Sequence, residues 1–100
     1  MYVWDYAFET NYAAVTPEDF SCNVNRGNPN HDLFIFNNFL TSIFGSPASA
    51  EQVNSNPFLV TRINECEAVR AAMANFVTVD FISIGDTIIT VDELNALGPY

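Results

Sequence analysis

Four polar side chains stand where apolar, strand-like runs stop: Asp5 in MYVWDYAF, Asn37 and Asn38 in LFIFNNFL, and Asp80 in NFVTVDF. In parallel α/β folds the C-terminal ends of strands build the ligand site, so these residues form a convergent polar set. Asp80 is the leading candidate for chemistry. A carboxylate at a strand end can hold a histidine from elsewhere in a barrel in one tautomer and stabilise its imidazolium. The plainer alternative is an acid that caps a turn or pairs with an arginine. Asp86 reads more simply as a helix cap.

Other residues carry weaker signals. Glu9 and Asp5, with Trp4, Tyr6 and Tyr12, have the types that line a sugar or polyol site, although an aromatic stripe is more simply core. Arg26, in NRG, can meet a phosphate by paired hydrogen bonds, but an ion pair with a carboxylate of the same chain is the simpler expectation. His31, in NPNHD, reads as a solvent-exposed loop residue and not as a catalytic one. GxSxG, P-loop, GxGxxG and zinc-ligand spacings are all absent from the sequence.

The elements that must position these residues follow from the apolar pattern. The chain opens with a short aromatic strand, and Thr16-Pro17-Glu18-Asp19 reads as a capped turn. Asn23 to Asp32 is rich in Asn, Gly and Pro and predicts a loop. Leu33 to Leu40 predicts a strand buried on both faces, and Gly45 to Ser49 a loop leading to a short helical piece around Ala50 to Val53. Asn56-Pro57 then starts a helix, with Asn at the cap and Pro first. Leu59, Ile63, Cys66, Val69 and Met73 define its apolar face. NFVTVDF is the next strand. Asp86 caps a closing helix whose Ile88, Val91 and Leu94 face inward, and Gly98-Pro99 stops it. Two successive βα units with apolar strands require a parallel sheet covered by helices, met by either a doubly wound sheet or a βα-barrel.

Composition narrows the partners. One hundred residues with 49% hydrophobic and 14% aromatic content support one packed core. Twelve acidic residues against three arginines and no lysine give a net charge of −9, the wrong sign for nucleic acid or an anionic membrane surface. No apolar run approaches the roughly 20 residues that span a bilayer, and MYVWDYAFET has no signal-peptide character. Cys22 and Cys66 lack metal-ligand spacing and are either two buried thiols or one bridge. A bridge would close a loop of about 45 residues, stabilise by about 4 kcal/mol in the chain-entropy model, and imply an oxidising compartment.

Taken together, WDYAFET, PEDFSCNVNRG, LFIFNNFLT, NPFLVTRINEC, NFVTVDF, IGD and VDELN resemble the C-terminal part of phosphatidylinositol-specific phospholipase C-like phosphodiesterases, from about Trp4 to Asn95. The resemblance implies an α/β fold that is the C-terminal portion of a TIM-type (βα) barrel, with parallel strands and two to three helices, so that residues 1–100 form one partial domain. It implies phosphodiester cleavage by two histidines acting as base and acid, with an arginine or a divalent metal ion stabilising the phosphoryl charge. Both histidines belong to the N-terminal half of such a barrel, and His31 matches neither. Asp80 resembles the carboxylate that orients the general-base histidine, while Asp5, Tyr6 and Asn37 resemble head-group contacts. Many relatives carry His where this chain has Asn38. Cys22 and Cys66 are similar to a structural disulfide of exported relatives, which implies a secreted or extracytoplasmic protein.

The leading expectation is therefore a fragment of a phosphoric diester hydrolase that needs no cofactor of its own, is inactive alone, and meets a phosphodiester or phospholipid head group together with the missing half of the barrel. A non-catalytic polyol-binding or interaction module is the alternative. A glycosidase end, with Asp80 or Glu9 as one of two acids, would need a second carboxylate within about 5 to 10 Å on the same face.

Overall fold

The computed structural model describes residues 2–41 and 46–97. A 3₁₀ turn at Val3–Asp5 leads into β1 (Ala7–Thr10), a second 3₁₀ turn follows at Pro17–Asp19, and then come β2 (Val24–Gly27) and β3 (Leu33–Asn37). Helices α1 (Pro47–Asn54) and α2 (Phe58–Arg70) connect β3 to β4 (Phe76–Thr78), and α3 (Thr87–Leu97) closes the described chain. The sheet order is β2-β1-β3-β4. β1, β3 and β4 run parallel, with Glu9 opposite Ile35 and Asn37 opposite Thr78. The molecule is a mixed α/β fold with a mostly parallel four-stranded sheet.

Strand alternation divides the side chains between two faces. Phe8, Phe34 and Phe36 point to one face and are fully buried against Leu59, Ile63 and Cys66 of α2, with Leu94 of α3 alongside. Phe8 and Phe34 stack with ring centroids 4.7 Å apart. The register places Ala7, Glu9, Ile35, Asn37, Phe76 and Thr78 on the other face. On that face Ala7, Glu9 and Asn37 are nearly fully buried, whereas Phe76 on β4 is 53% exposed. β3 is buried on both faces at Phe36 and Asn37, as expected, β1 is buried throughout, and β4 is only partly buried.

Several expectations need correction. The first strand begins at Ala7, because Val3–Asp5 winds into a 3₁₀ turn. Asn23 to Asp32 is not a continuous loop. Val24–Gly27 pairs antiparallel with β1, an edge strand that poor intrinsic propensity hid. Gly27 is required there: its φ is +86°, and a Cβ would collide with the Ala7 carbonyl oxygen. α1 starts earlier than expected, at Pro47, with the Ser46 hydroxyl accepting the Ser49 amide. The expected loop from Gly45 falls partly outside the described residues, as does the Gly98-Pro99 stop.

The two longer helices are turned relative to their expected faces. In α2 Leu59, Ile63 and Cys66 are buried as expected, but Val69 is exposed, and Met73 lies beyond the left-handed Ala71 that ends the helix. Arg62 and Glu67 are buried instead, each with partners: the Glu67 carboxylate accepts the Ala74 amide at 2.7 Å. In α3 Thr87 and Thr90 are buried and Ile88 is exposed. The Thr90 hydroxyl accepts from Asn56 Nδ2 at 2.8 Å, so a polar tie fixes the rotation of α3. Asp86 precedes α3, and its carboxylate accepts the Asn56 amide. Asn56 Oδ1 in turn accepts the Val60 amide, although α2 begins one residue later than expected, with Pro57 at the N-cap position and Phe58 first.

Candidate functional site

The C-terminal ends of β1, β3 and β4 bring Glu9, Thr10, Asn37 and Asn38 together, with Asp80 two residues past Thr78. Between Phe8 opposite Gly27 and Thr10 opposite Val24, one residue of β1 faces two of β2, a β-bulge. The bulge aims both extra side chains at one carboxylate. Asn25 Nδ2 donates to Glu9 Oε2 at 3.0 Å, Arg26 Nε donates to the same oxygen, and Arg26 Nη2 donates to Oε1 at 3.2 Å. From β3, Asn37 Nδ2 donates to Glu9 Oε1 at 2.9 Å and to the Thr10 carbonyl at 2.8 Å.

Electrostatics follow from this geometry. Burial of the Glu9 carboxyl would raise its pKa, but hydrogen bonds from Arg26, Asn37 and Asn25 and the charge of Arg26 together hold it below the ordinary value. Its partner Arg26 is pushed up, chiefly by its hydrogen bond to Glu9. The Arg26 guanidinium lies 4.5 Å from the Trp4 ring and 5.2 Å from Tyr12, so two aromatic faces flank it. Glu9 is therefore a fixed anion that organises donors, a role that does not call for proton transfer.

A second arginine holds the same strand end from the helix side. Arg62 Nη2 donates to the Asn37 carbonyl at 2.9 Å, and Nε donates to Asn38 Oδ1 at 3.2 Å. Asn38 Nδ2 donates onward to the Val53 carbonyl at 3.0 Å. The guanidinium packs 4.3 Å from the Phe20 ring and 4.6 Å from Phe36, and burial pushes its pKa down to about 10. The sequence carried one signal for this residue: Arg62 falls on the apolar side of α2, next to Ile63 and one turn before Cys66.

Asp80 is exposed, and its carboxylate has no hydrogen-bond partner among the described residues. Its position is set through the backbone. Asn54 Nδ2 donates to the Asp80 carbonyl at 2.8 Å and to the Ile84 carbonyl at 3.3 Å, and the Asp86 amide donates to the Asn54 carbonyl. Gly85, at φ +85°, lets the loop close on Asn54, since a Cβ there would come within 2.7 Å of the Asn54 side chain.

Asp5 and Tyr6 do not join this group. Both precede β1, and the Tyr6 carbonyl accepts the Leu33 amide at the start of β3, which places them at the N-terminal edge of the sheet. His31 sits at that edge too, with Nδ1 3.2 Å from the Ala7 carbonyl oxygen. Trp4 differs from its neighbours by reaching Arg26. Among the described residues no cluster of three His, Cys, Asp or Glu side chains can hold a metal ion, and the donors around Glu9 already occupy both its oxygens.

Cys22 and Cys66 form a disulfide with Cα atoms 5.1 Å apart, joining the segment before β2 to the middle of α2. No helix among the described residues is long and apolar enough to cross a membrane.

The polar cluster of this mostly parallel α/β sheet lies at the C-terminal ends of its strands, where α/β folds in general place their ligand sites. More specifically, the family model described as PI-PLC X 1 matches residues 1–95, and the chain belongs to this PI-PLC X family. No curated protein and no solved structure matches the chain.

Proposed function

We propose that this chain is the C-terminal part of a phosphodiesterase barrel, contributing one rim of a pocket for a phosphorylated polyol head group. The observation that carries this is the polar cluster at the C-terminal ends of the parallel strands in a PI-PLC X chain, where Arg26 and Asn37 bind Glu9 and, among the described residues, the Asp80 carboxylate has no hydrogen-bond partner. Arg26 gives Nε and Nη2 to Glu9, and its Nη1, without a partner among the described residues, suits a phosphoryl oxygen. Trp4 and Tyr12 beside it offer flat apolar surface to a sugar-like ring. Asp80 is suited to orienting a histidine and stabilising its charged form. Asp5 and Tyr6 lie at the other edge and have no part in this pocket.

The acid–base pair of histidines has to come from elsewhere, since the sequence has one histidine and it lies at the opposite edge. The edge position of β4 among the described residues fits a barrel whose other strands come from another segment. The disulfide fits an oxidising, extracytoplasmic compartment. Incubating the chain alone with phosphatidylinositol or a glycerophosphodiester is expected to give no product above background. Turnover by the chain alone would overturn this assignment.

The second reading is a non-catalytic polyol-binding or interaction module, favoured by the full occupation of Glu9 by its own chain's donors. Adding a polypeptide that carries two strand-end histidines separates the two. Restored turnover supports the enzyme, and binding without turnover supports the module.

A further inference from the structure

Arg62 is 6% exposed, yet every group that accepts from it is neutral: the Ser21 and Asn37 carbonyls, Asn38 Oδ1, and the Cys66 sulfur 3.5 Å from Nη1. Among the described residues no carboxylate lies within ion-pair distance of it, in contrast to Arg26 on Glu9. A buried cation without an anion is costly, and that cost falls when an anion forms beside it. The one group in contact that can become an anion is Cys66, by leaving the disulfide as a thiolate.

The two sulfurs differ in access. Cys66 is completely buried in the core, whereas Cys22 is only partly buried. An incoming thiolate therefore meets Cys22 first. We infer that Cys22–Cys66 is a directional, exchangeable disulfide, in which a dithiol oxidoreductant attacks Cys22 and Cys66 departs as a thiolate held by Arg62. In the first step the reductant's thiolate bonds to Cys22 Sγ, the Cys22–Cys66 bond breaks, and its electron pair leaves on Cys66. In the second step the reductant's other thiol, giving up its proton, attacks its own mixed-disulfide sulfur. The oxidised cyclic reductant departs and Cys22 takes the proton, for a net transfer of two electrons.

The consequence reaches the strand ends. The guanidinium that contacts Cys66 also holds the Asn37 and Ser21 carbonyls, so a thiolate competes directly with the bonds that fix the end of β3. This inference does not depend on the phosphodiesterase assignment.

The test equilibrates the full chain and its Arg62→Met variant with dithiothreitol couples at pH 7, counting thiols by alkylation and mass. The folded wild type is expected to be reduced with an equilibrium constant about tenfold larger than Arg62→Met, a difference of about 30 mV, with no difference between the two in urea. Equal constants for the folded proteins would overturn the inference. Should Arg62→Met fail to fold, brief exposure of the wild type to glutathione followed by peptide mapping decides the matter. Glutathione on Cys22 supports directional exchange, and glutathione on Cys66 or on both alike contradicts it.

Discussion

The two faces of the sheet reach order by different physics. On the helix side Phe8, Phe34 and Phe36 are sealed against α2, and their order comes from apolar burial and dense packing. On the other side buried Glu9 and Asn37 and the more exposed Asn25 and Arg26 are tied together by hydrogen bonds. The arginines repeat the contrast: Arg26 is half-exposed on a carboxylate, while Arg62 is buried among rings and carbonyls. Residues that fill space make one face a core; donors fixed on a single anion make the other a preorganised rim.

The contrast predicts unequal responses to substitution. Phe34→Ala should have the largest effect, about 3 to 5 kcal/mol of stability lost in urea unfolding, because it opens a cavity in the sealed layer. A loss below about 1 kcal/mol would show that the helix-side core is loosely packed. On the polar face Asn37→Ala should cost about 1 to 3 kcal/mol by stripping a donor from buried Glu9. Phe76→Ser, by contrast, should stay within about 0.5 kcal/mol at its exposed position.

Acid should attack the rim before the core. Glu9 has a depressed folded pKa, so the unfolded chain takes up its proton first as pH falls. Its stabilisation is complete above the ordinary value of 4.5 and is lost as pH drops through the lower folded value. Asp19, held down by the Thr16 and Val15 amides, adds to the loss below its ordinary 3.8. Glu9→Gln should therefore flatten the acid limb of a stability–pH curve, and an unchanged limb would remove Glu9 from the account. A small effect of opposite sign belongs to Ala71, whose φ of +52° favours glycine. Ala71→Gly should stabilise by up to about 1 kcal/mol, raising the urea midpoint without touching either face.

Much of the fold was legible because apolar runs report strands and helices directly. LFIFNNFL and NFVTVDF each contain a parallel strand, and Asn56-Pro57 marked the start of α2. What stayed hidden depended on contacts distant in sequence. β2 has almost no strand propensity and exists because β1 and Glu9 pair with it. The rotations of α2 and α3 are set by polar ties through Arg62, Glu67 and Thr90, which an apolar period does not register. Asp5 was misplaced because the aromatic run Tyr2 to Tyr6 has strand-like composition but folds as a 3₁₀ turn. Glu9 was legible as a candidate, though its organising role required the bulge that brings Asn25 and Arg26 to it.

The central claim is that the polar rim at the C-terminal ends of the parallel strands meets a phosphorylated polyol. Titrating the isotope-labelled chain with glycerophosphoinositol tests it most directly by nuclear magnetic resonance. The account predicts saturable shifts at Arg26, Asn37, Asn38 and Asp80, with Asp5 and His31 unmoved. Shifts confined to the Asp5 and His31 edge, or none at all, would contradict it.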